Sequence, residues 1–242
     1  MRILLVHGLA RTPLSLRGLA RDLRRGGHRA ELVGYSGAVE SYHGIVARVR
    51  RRLEAAADDG QPYAAIGHSL GGLILRAALA DWPAESPPPR HVIMLGTPNQ
   101  PPRLARRFHR WWAYRLVNGE CGQLLADPEF FARLPVPPVP MTVIAGTKSW
   151  PAPVSLFGGE PNDGVVAVAE TRLDRGCEII QVPASHTFMM NNRRVRAAVR
   201  DVLAHAAGLH RRDREQSGTS PGRTNHGRQT RDHRRIPGGP ER

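Results

Sequence analysis

The sequence has few cysteines, few aromatic residues and almost no lysine. Its 242 residues include two cysteines, Cys121 and Cys177, which are too few for a disulfide scaffold and lack the spacing of metal ligands. We therefore expect two ordinary thiols in a reducing compartment and no metal site, although a single bridge between the two is compatible with the sequence. Lys148 is the sole lysine, so the basic residues are nearly all arginines.

Long apolar runs are also missing. No window of the sequence approaches the roughly 18 apolar residues expected of a membrane-spanning helix. The apolar run near the N-terminus, Ile3 to Val6, is too short for a signal-peptide core, and no small-residue cleavage site follows it. It has the length of a buried strand. We therefore expect a soluble chain that, without an export signal, is cytoplasmic.

The formal net charge of +14 is spread along the chain. Residues after Leu209 contribute +5, from nine arginines against four acidic residues, and the other +9 is distributed over segments such as Arg17 to Arg29, Arg48 to Arg52 and Arg103 to Arg115. Most of this charge is typical of solvated helix faces, and positive charge alone supports only nonspecific attraction to phosphates or anionic lipid. We expect no specific nucleic-acid partner, whereas weak association with a membrane surface stays open.

Short apolar runs alternate with amphipathic stretches along most of the chain. This rhythm predicts an α/β fold with a mostly parallel central sheet of about six strands and helices on both faces. The predicted strands are Ile3 to Val6, Ala30 to Val33, Tyr63 to Ile66, His91 to Leu95, Met141 to Ala145 and Glu178 to Val182. The predicted helices are Pro13 to Arg25, Tyr42 to Asp58, Leu70 to Ala80 and Asn191 to Ala207, the last closing on Gly208.

Residues 98–140 interrupt the rhythm with a long stretch that is rich in Arg and Pro. It is too long for a simple connection. One interpretation is a cap-like insertion that presents its aromatic side chains to an acyl chain over the site; the other is an ordinary helix pair whose aromatics fill the core. The aromatic residues concerned are Phe108, Trp111, Trp112, Tyr114, Phe130 and Phe131.

In residues 209–242 the chain after Leu209 is almost free of apolar side chains, with Ile236 as the exception. Such a segment cannot bury enough surface to offset the entropy lost on ordering. We predict a disordered basic tail, dispensable for catalysis, after a catalytic domain that spans residues 1–208.

The pattern Gly67-His68-Ser69-Leu70-Gly71 follows a predicted strand and precedes a predicted helix. A serine in this position is typical of a nucleophile elbow, in which glycines let strand and helix approach and the serine projects above the sheet edge. The pentapeptide alone also occurs by chance in glycine-rich turns, so its position between strand and helix decides the interpretation. Ser69 is the candidate nucleophile, and Gly67, His68 and Gly71 are supporting residues.

His186 is the candidate base. A serine hydroxyl is a poor nucleophile at neutral pH and needs a base within hydrogen-bond reach and a carboxylate that orients this base. Downstream of Ser69, His91 opens a strand, His109 lies in the insertion, and the histidines from His205 onward lie in the last helix or the tail. His186 follows a late strand instead. The alternative is an ordinary surface-loop histidine.

Asp163 is the candidate acid, because it stands in the loop after the strand that precedes the histidine's strand. The required chain order on such a sheet is serine, acid, histidine. Asp127 lies in the insertion and Asp174 in a turn, so both rank below it. The alternative for Asp163 is an Asx-type turn with Gly164.

An oxyanion formed at the serine also needs backbone N–H donors. The residue after the nucleophile supplies one, from Leu70. The loop after the first strand, His7-Gly8-Leu9, is placed to supply the second from Leu9. Gly8 would let the backbone turn inward, and we expect His7 to support this loop rather than take part in the chemistry.

With these motifs the chain resembles the α/β-hydrolase superfamily from Met1 to about Ala207, and more narrowly small bacterial lipases and PGAP1-like esterases. It differs in opening directly at the strand before the oxyanion loop, which implies a minimal sheet. The stretches that carry the resemblance are His7-Gly8-Leu9, Gly67-His68-Ser69-Leu70-Gly71-Gly72, Leu95-Gly96-Thr97-Pro98 and Asn162-Asp163-Gly164-Val165-Val166.

The resemblance implies a catalytic triad of Ser69, Asp163 and His186, an oxyanion hole at Leu9 and Leu70, and hydrolysis of carboxylic esters without a cofactor. The expected partner is a small-molecule ester or a lipid. Acyl transfer or thioester cleavage on the same fold is an alternative, and a non-catalytic lipid- or nucleic-acid-binding module is a third.

Substrate choice is expected to depend on the insertion and on Trp150 to Gly159. Aromatic residues near the mouth favour a medium or long apolar acyl chain over a charged acid. Insertion arginines, namely Arg103, Arg106, Arg107 and Arg110, are equally suited to an anionic head group or a membrane surface. The fold itself leaves the acyl group and the oligomeric state open.

Overall fold

The computed structural model describes residues 1–149, 157–173 and 177–217, without the side chains of residues 209–217. Six strands, numbered β1 to β6 in chain order, form one parallel sheet. Their order across the sheet is β2-β1-β3-β4-β5-β6. They are β1 (Arg2–Val6), β2 (Arg29–Val33), β3 (Tyr63–His68), β4 (Val92–Leu95), β5 (Met141–Gly146) and β6 (Glu178–Val182). The predicted parallel sheet of about six strands is confirmed.

Seven helices accompany this sheet in the described part of the chain. None of them is both long and apolar enough to cross a membrane. They are α1 (Arg17–Arg25), α2 (Tyr42–Asp58), α3 (Leu70–Ala78), α4 (Arg103–Phe108), α5 (Trp112–Leu124), α6 (Pro128–Arg133) and α7 (Arg193–Ser217). Short 3₁₀ helices at Pro13–Leu16, Ala169–Thr171 and His186–Asn191 complete the connections.

The helices cover both faces of the sheet, and β1 shows why. Successive side chains of a strand point to opposite faces. Leu4 and Val6 therefore pack in a core with α2 and α3, while Ile3 and Leu5 pack in the other core with α1 and α7. All four side chains are fully buried, which explains why this central strand is apolar at every position after Arg2 rather than alternating.

The strand order places a crevice between β1 and β3. The chain goes from β1 to β2 on one side and then crosses back to β3 on the other side of β1. Loops that follow neighbouring strands on opposite sides of such a reversal diverge, which opens a crevice beyond the carboxyl ends of the strands. The loops that follow β1 and β3 contain Leu9 and Ser69, so the fold itself brings these two residues to the same opening.

The insertion at residues 98–140 divides its aromatic residues between the core and the surface. Phe130 and Phe131 of α6 are buried, and Phe130 packs edge-on against Tyr42 of α2 at a centroid distance of 5.2 Å. Trp111 and Trp112 are exposed instead. One end of the insertion thus completes the core, and the other end leaves its aromatic residues at the surface.

The last helix extends further than expected. Helix α7 passes through Gly208 and ends at Ser217, so the helix end predicted at Gly208 is wrong. One glycine costs only about 1 kcal/mol relative to alanine in a helix, and the good helix formers after it offset that penalty. Of the tail predicted at residues 209–242, the part from residue 218 onward lies outside the described residues. Asp174 and residues 150–156 also lie outside them. The two cysteines are free thiols.

Helix α3 is seated on the sheet through glycines. A Cβ atom added to Gly71 would overlap the carbonyl oxygen of Val6, and one added to Gly67 would overlap the backbone nitrogen of Gly72. Since these neighbours are backbone atoms, they cannot move aside as a flexible side chain would. The N-terminus of α3 therefore sits closer to β1 and β3 than any side chain allows.

We expect Gly71→Ala to lower the free energy of unfolding by about 3 kcal/mol or more, because its methyl group must push α3 away from β1. Urea denaturation measures this. The control is Gly208→Ala, a helical position where an added Cβ meets nothing within 4 Å; it should leave stability unchanged or raise it slightly. Equal stability of the two variants would contradict the tight seat.

Candidate active site

Ser69 stands between β3 and α3 with φ 52° and ψ −121°, one of three non-glycine residues with positive φ in the described chain. Such a backbone conformation costs of order 1–3 kcal/mol and persists only where its surroundings hold it. The Ser69 N–H donates to Leu95 O at 2.9 Å, while Ser69 O accepts from Thr97 Oγ1 and from the Gly72 N–H, both at 3.0 Å. Strand β4 and its loop thereby fix the turn.

The loop after β1 approaches the serine closely. A Cβ atom on Gly8 would lie 3.0 Å from Ser69 Cβ and 2.8 Å from His68 Nδ1, so a glycine is needed there. Leu9 follows and borders the same pocket as Ser69. Leu70 is the first residue of α3, and the N–H groups of a first helical turn have no partner within the helix.

His7 supports this loop by contacts with Tyr35. The two rings stack at a centroid distance of 4.1 Å, and the Tyr35 hydroxyl donates to His7 O at 2.7 Å. His7 Nδ1 lies 2.9 Å from Gly8 O and donates to it. Burial lowers the pKa of His7, which keeps the ring neutral. These contacts occupy His7 with the loop itself, in line with its expected supporting role.

Asp163 and His186 form a buried pair. His186 Nδ1 lies 2.7 Å from Asp163 Oδ2, and the His186 N–H donates to Asp163 O at 2.9 Å. The other carboxylate oxygen, Oδ1, accepts the N–H groups of Val165 and Val166 at 2.9 and 2.7 Å. Asp163 therefore makes the Asx-type turn that was the alternative reading and faces the histidine at the same time.

His68 connects the serine turn to the loop of His186. Its Nε2 lies 3.1 Å from His186 O and donates to it, and the two rings lie 4.9 Å apart. Full burial and the neighbouring His186 lower the pKa of His68 well below its ordinary value, so it stays neutral. Among the described residues its Nδ1 has no hydrogen-bond partner. A neutral His68 adds no charge beside His186.

Ser69 and His186 open into one pocket of about 230 Å³. Aliphatic side chains dominate its wall, and of the six aromatic residues of the insertion only Tyr114 borders it. The aliphatic and proline lining residues are Leu9, Pro98, Pro102, Leu104, Ala105, Leu125, Val165 and Val166.

A buried polar network that was not recognised in the sequence ties these loops together. Arg76 of α3 donates to Asn99 Oδ1 at 3.0 Å and to Leu134 O at 2.7 Å. Asn99 in turn donates to Thr171 O at 2.8 Å, and its N–H donates to Glu170 O at 2.7 Å. An arginine in the otherwise apolar helix Leu70–Ala78 was the one available signal. The network links the serine's helix to the loop of Asp163.

The lower-ranked candidates lie elsewhere. His91 contacts Thr142 Oγ1 at 2.9 Å before β4 begins, at the opposite edge of the sheet from Ser69. His109 directly follows the last residue of α4, and its Nδ1 contacts Arg106 O. Asp127 caps α6 by accepting the N–H of Glu129 at 2.9 Å. The structure thus brings together the three residues that the sequence ranked first.

The sequence model of the Alpha/beta hydrolase family matches residues 3–236. The chain belongs to this family. Membership of this family supports hydrolase activity for the protein. A search of curated proteins by sequence finds no match.

Solved structures of bacterial lipases and esterases share the fold of this alpha/beta hydrolase. The mature lipase BlEst2 of Bacillus licheniformis matches with a TM-score of 0.64 at 17% identity, over 78% of this chain and 86% of that one. The metagenomic carboxyl esterase MGS0156 gives 0.63 at 18%, over 77% and 64%. Phospholipase PlaB of Legionella pneumophila gives 0.55 at 21%, over 71% and 46%. At such identities the likeness establishes the fold.

The buried neutral histidines of this alpha/beta hydrolase predict a loss of stability in acid. His7 and His68 have lowered pKa values when folded, whereas in the unfolded chain they bind protons near pH 6.5. Below about pH 6.5 the unfolded state therefore binds more protons than the folded state, and the free energy of unfolding falls as the pH falls towards the folded values. Urea denaturation at pH 7.5 and pH 5.5 tests this.

The variant His68→Gln should reduce this pH dependence, because its amide can still donate to His186 O but does not titrate. His43→Gln, at an exposed position, serves as the control and should leave the difference between the two pH values unchanged. If His68→Gln kept the full difference, the buried His68 would not be its source.

Proposed function

We propose that this protein is a serine hydrolase that cleaves carboxylic esters, with Ser69 as nucleophile, His186 as base and Asp163 as the acid that orients it. The observation that carries the proposal is the 2.7 Å contact between His186 Nδ1 and Asp163 Oδ2, buried beside Ser69 at the wall of one pocket. A carboxylate on Nδ1 makes that nitrogen the proton carrier and leaves Nε2 as the acceptor that a general base requires.

The reaction begins when His186 Nε2 takes the hydroxyl proton of Ser69 and the oxygen attacks the ester carbonyl. Asp163 stabilises the imidazolium formed in this step. Backbone N–H groups of Leu9 and Leu70 receive the negative charge on the carbonyl oxygen. His186 then returns its proton to the leaving alcohol, and a water molecule hydrolyses the acyl-enzyme by the same two proton transfers.

Three features of the site suit this chemistry. The strained turn of Ser69 presents the hydroxyl at the N-terminus of α3, where unpaired N–H groups favour a developing negative charge. The two backbone bonds to Asp163 Oδ1 hold the carboxylate so that Oδ2 faces the histidine. His68 is neutral, so it adds no positive charge that would oppose the positive charge that develops on His186. No cofactor is required in this scheme.

The pocket supports an apolar acyl group of limited length. Its lining is mainly aliphatic, and a volume of about 230 Å³ is below the roughly 300–1,000 Å³ of pockets for drug-sized ligands. At about 30 Å³ for each atom of the size of water, this volume holds roughly eight non-hydrogen atoms. We therefore propose short to medium acyl chains, shorter than the aromatic content of the insertion suggested. The lipase and carboxyl esterase among the structural neighbours support ester substrates.

A fluorophosphonate probe tests the nucleophile. We expect covalent labelling of the wild-type protein and none of Ser69→Ala, together with a loss of about 10⁶-fold in the turnover of a p-nitrophenyl ester. Asp163→Asn should lower turnover by about 10⁴-fold, because the imidazole loses the partner that sets its tautomer. Intact-mass spectrometry and initial rates provide the measurements.

The matched control is Ser86→Ala. Ser86 lies in the loop between α3 and β4, at the amino ends of the strands and away from the pocket, so this variant should label and turn over like the wild type. Labelling of a folded Ser69→Ala protein would refute the assignment of the nucleophile. A wild-type protein that neither labels nor hydrolyses esters would support a non-catalytic binding module instead.

A series of p-nitrophenyl esters tests the pocket. We expect kcat/KM to rise with acyl length and to reach its maximum between roughly four and eight carbons, where the apolar pocket is filled. Leu104→Trp, at the wall, should shift the maximum to shorter chains. An optimum at acetate or beyond about twelve carbons would show that this pocket does not hold the acyl group.

A further inference from the structure

The large hydrophobic residues that remain exposed lie in segments that leave the sheet at its carboxyl edge. Each of them follows the carboxyl end of a strand and precedes the next helix or strand of the sheet's framework, as Leu14 does after β1 and Phe188 after β6. Ser69 and the pocket open at this same edge. Among the described side chains, the exposed large hydrophobics are Leu14, Val39, Trp111, Trp112, Leu116, Val117 and Phe188.

Four of these residues form the densest part of this edge, which we call the tryptophan face. Trp111, Trp112, Leu116 and Val117 are 58%, 78%, 72% and 54% exposed. Four such side chains within seven consecutive residues stay in water although their burial would be favourable, and exposed apolar patches mark interaction sites. The tryptophan face therefore calls for a partner.

Positive charge surrounds the tryptophan face. Arg106, Arg107, Arg110 and Arg115 are all exposed, and none of them forms an ion pair with another described residue. The sequence from residue 101 to residue 119 contains no acidic residue. A partner of complementary charge is consequently anionic as well as apolar.

A groove on α5 combines both properties. Its volume is about 640 Å³, and Arg110 and Arg115 border it together with Trp112 and Leu116. Glu120 also borders this groove, and its Oε2 accepts the N–H of Tyr42 at 3.2 Å, so two guanidinium groups face one carboxylate there. Guanidinium groups pair with phosphate oxygens, while tryptophan and leucine suit the boundary between head groups and acyl chains. One groove thus offers a site for the head group and the adjacent apolar part of an anionic phospholipid.

The same helix connects this face to the pocket. Tyr114 and Asn118 of α5 border the pocket that contains Ser69, while Trp112 and Leu116, two positions earlier in each case, lie at the surface. Positions two apart on a helix point to opposite sides, so this helix lies between the pocket and the tryptophan face and contributes residues to both.

From these observations we propose that the tryptophan face and its four arginines dock on an anionic phospholipid bilayer, so that helix α5 lies between the lipid surface and the pocket. The proposal goes beyond ester hydrolysis and does not depend on the role of Ser69. A second copy of the chain is disfavoured as the occupant, because two such faces would bring eight arginines together against two Glu120 carboxylates, each of which already accepts the N–H of Tyr42. Tryptophan at the level of the head groups and arginine on phosphate are the usual means of peripheral attachment.

Flotation with vesicles tests the charge. The full-length Ser69→Ala protein, which separates binding from hydrolysis, should bind vesicles of phosphatidylcholine with phosphatidylglycerol and should not bind phosphatidylcholine alone. Replacing Arg106, Arg107, Arg110 and Arg115 by glutamine should lower the partition coefficient by about 100-fold or more, at roughly 1 kcal/mol for each basic residue. The matched control replaces four other exposed arginines by glutamine, namely Arg21, Arg25, Arg29 and Arg51.

The control variant has the same net charge as the first arginine variant, yet it should bind nearly as well as the Ser69→Ala parent. Equal losses in both variants, or none in either, would overturn the proposal, since binding would then follow net charge or another segment. A second arginine variant keeps Ser69. It should hydrolyse a soluble short-chain ester at the wild-type rate, which shows that the four arginine replacements leave the protein folded.

Tryptophan fluorescence tests the apolar contact. Anionic vesicles should shift the emission of the Ser69→Ala protein to the blue, and Trp111→Phe/Trp112→Phe should remove most of the shift while keeping part of the binding. A shift that persists in the double variant would place the contact elsewhere. A blue shift that depends on protein concentration without vesicles would indicate self-association, and one produced by DNA instead of vesicles would indicate nucleic acid; either result would refute the bilayer as the partner.

Discussion

The strained backbone of Ser69 is the constraint on which the rest of the site depends. A positive φ at a serine is unfavourable, and it persists because β4 and its loop bond both sides of the residue while Gly67 and Gly71 let α3 press against β1 and β3. The strain is therefore offset by the packing of the whole sheet. In return, the hydroxyl stands clear of the sheet edge at the N-terminus of a helix, where a developing negative charge is stabilised.

The other half of the site is held by bonds between loops that are distant in sequence. Asp163 binds its own turn through one oxygen and His186 through the other, and His68 fixes the backbone of His186 from the serine side. Arg76 connects the serine's helix to the loop of Asp163 through Asn99. Because each of these groups is buried and bonded, the loops meet in one arrangement, which supports a site that is preorganised for proton transfer.

The surface of the molecule is divided in a way that fits this site. The edge that carries Ser69 also carries the exposed hydrophobic residues and the arginines of residues 101–119, a stretch that contains no acidic residue. Helices such as α2 instead pair part of their arginines with acidic residues, as Arg50 does with Glu54. A small aliphatic pocket beneath an apolar and basic edge suits the proposed hydrolysis of esters at or near an anionic surface.

The local pattern of the sequence was sufficient to predict the strands, the parallel sheet and the candidate residues Ser69, Asp163 and His186, because burial on both faces and strand-to-helix turns leave marks within a few neighbouring residues. The contacts among these residues, the network of Arg76 and the choice of Tyr114 as the one aromatic of the insertion at the pocket depend on strand order and on packing between distant segments. No local pattern records such contacts. The path of α7 beyond Gly208 shows the same limit, since a single residue's propensity is small beside the helix as a whole.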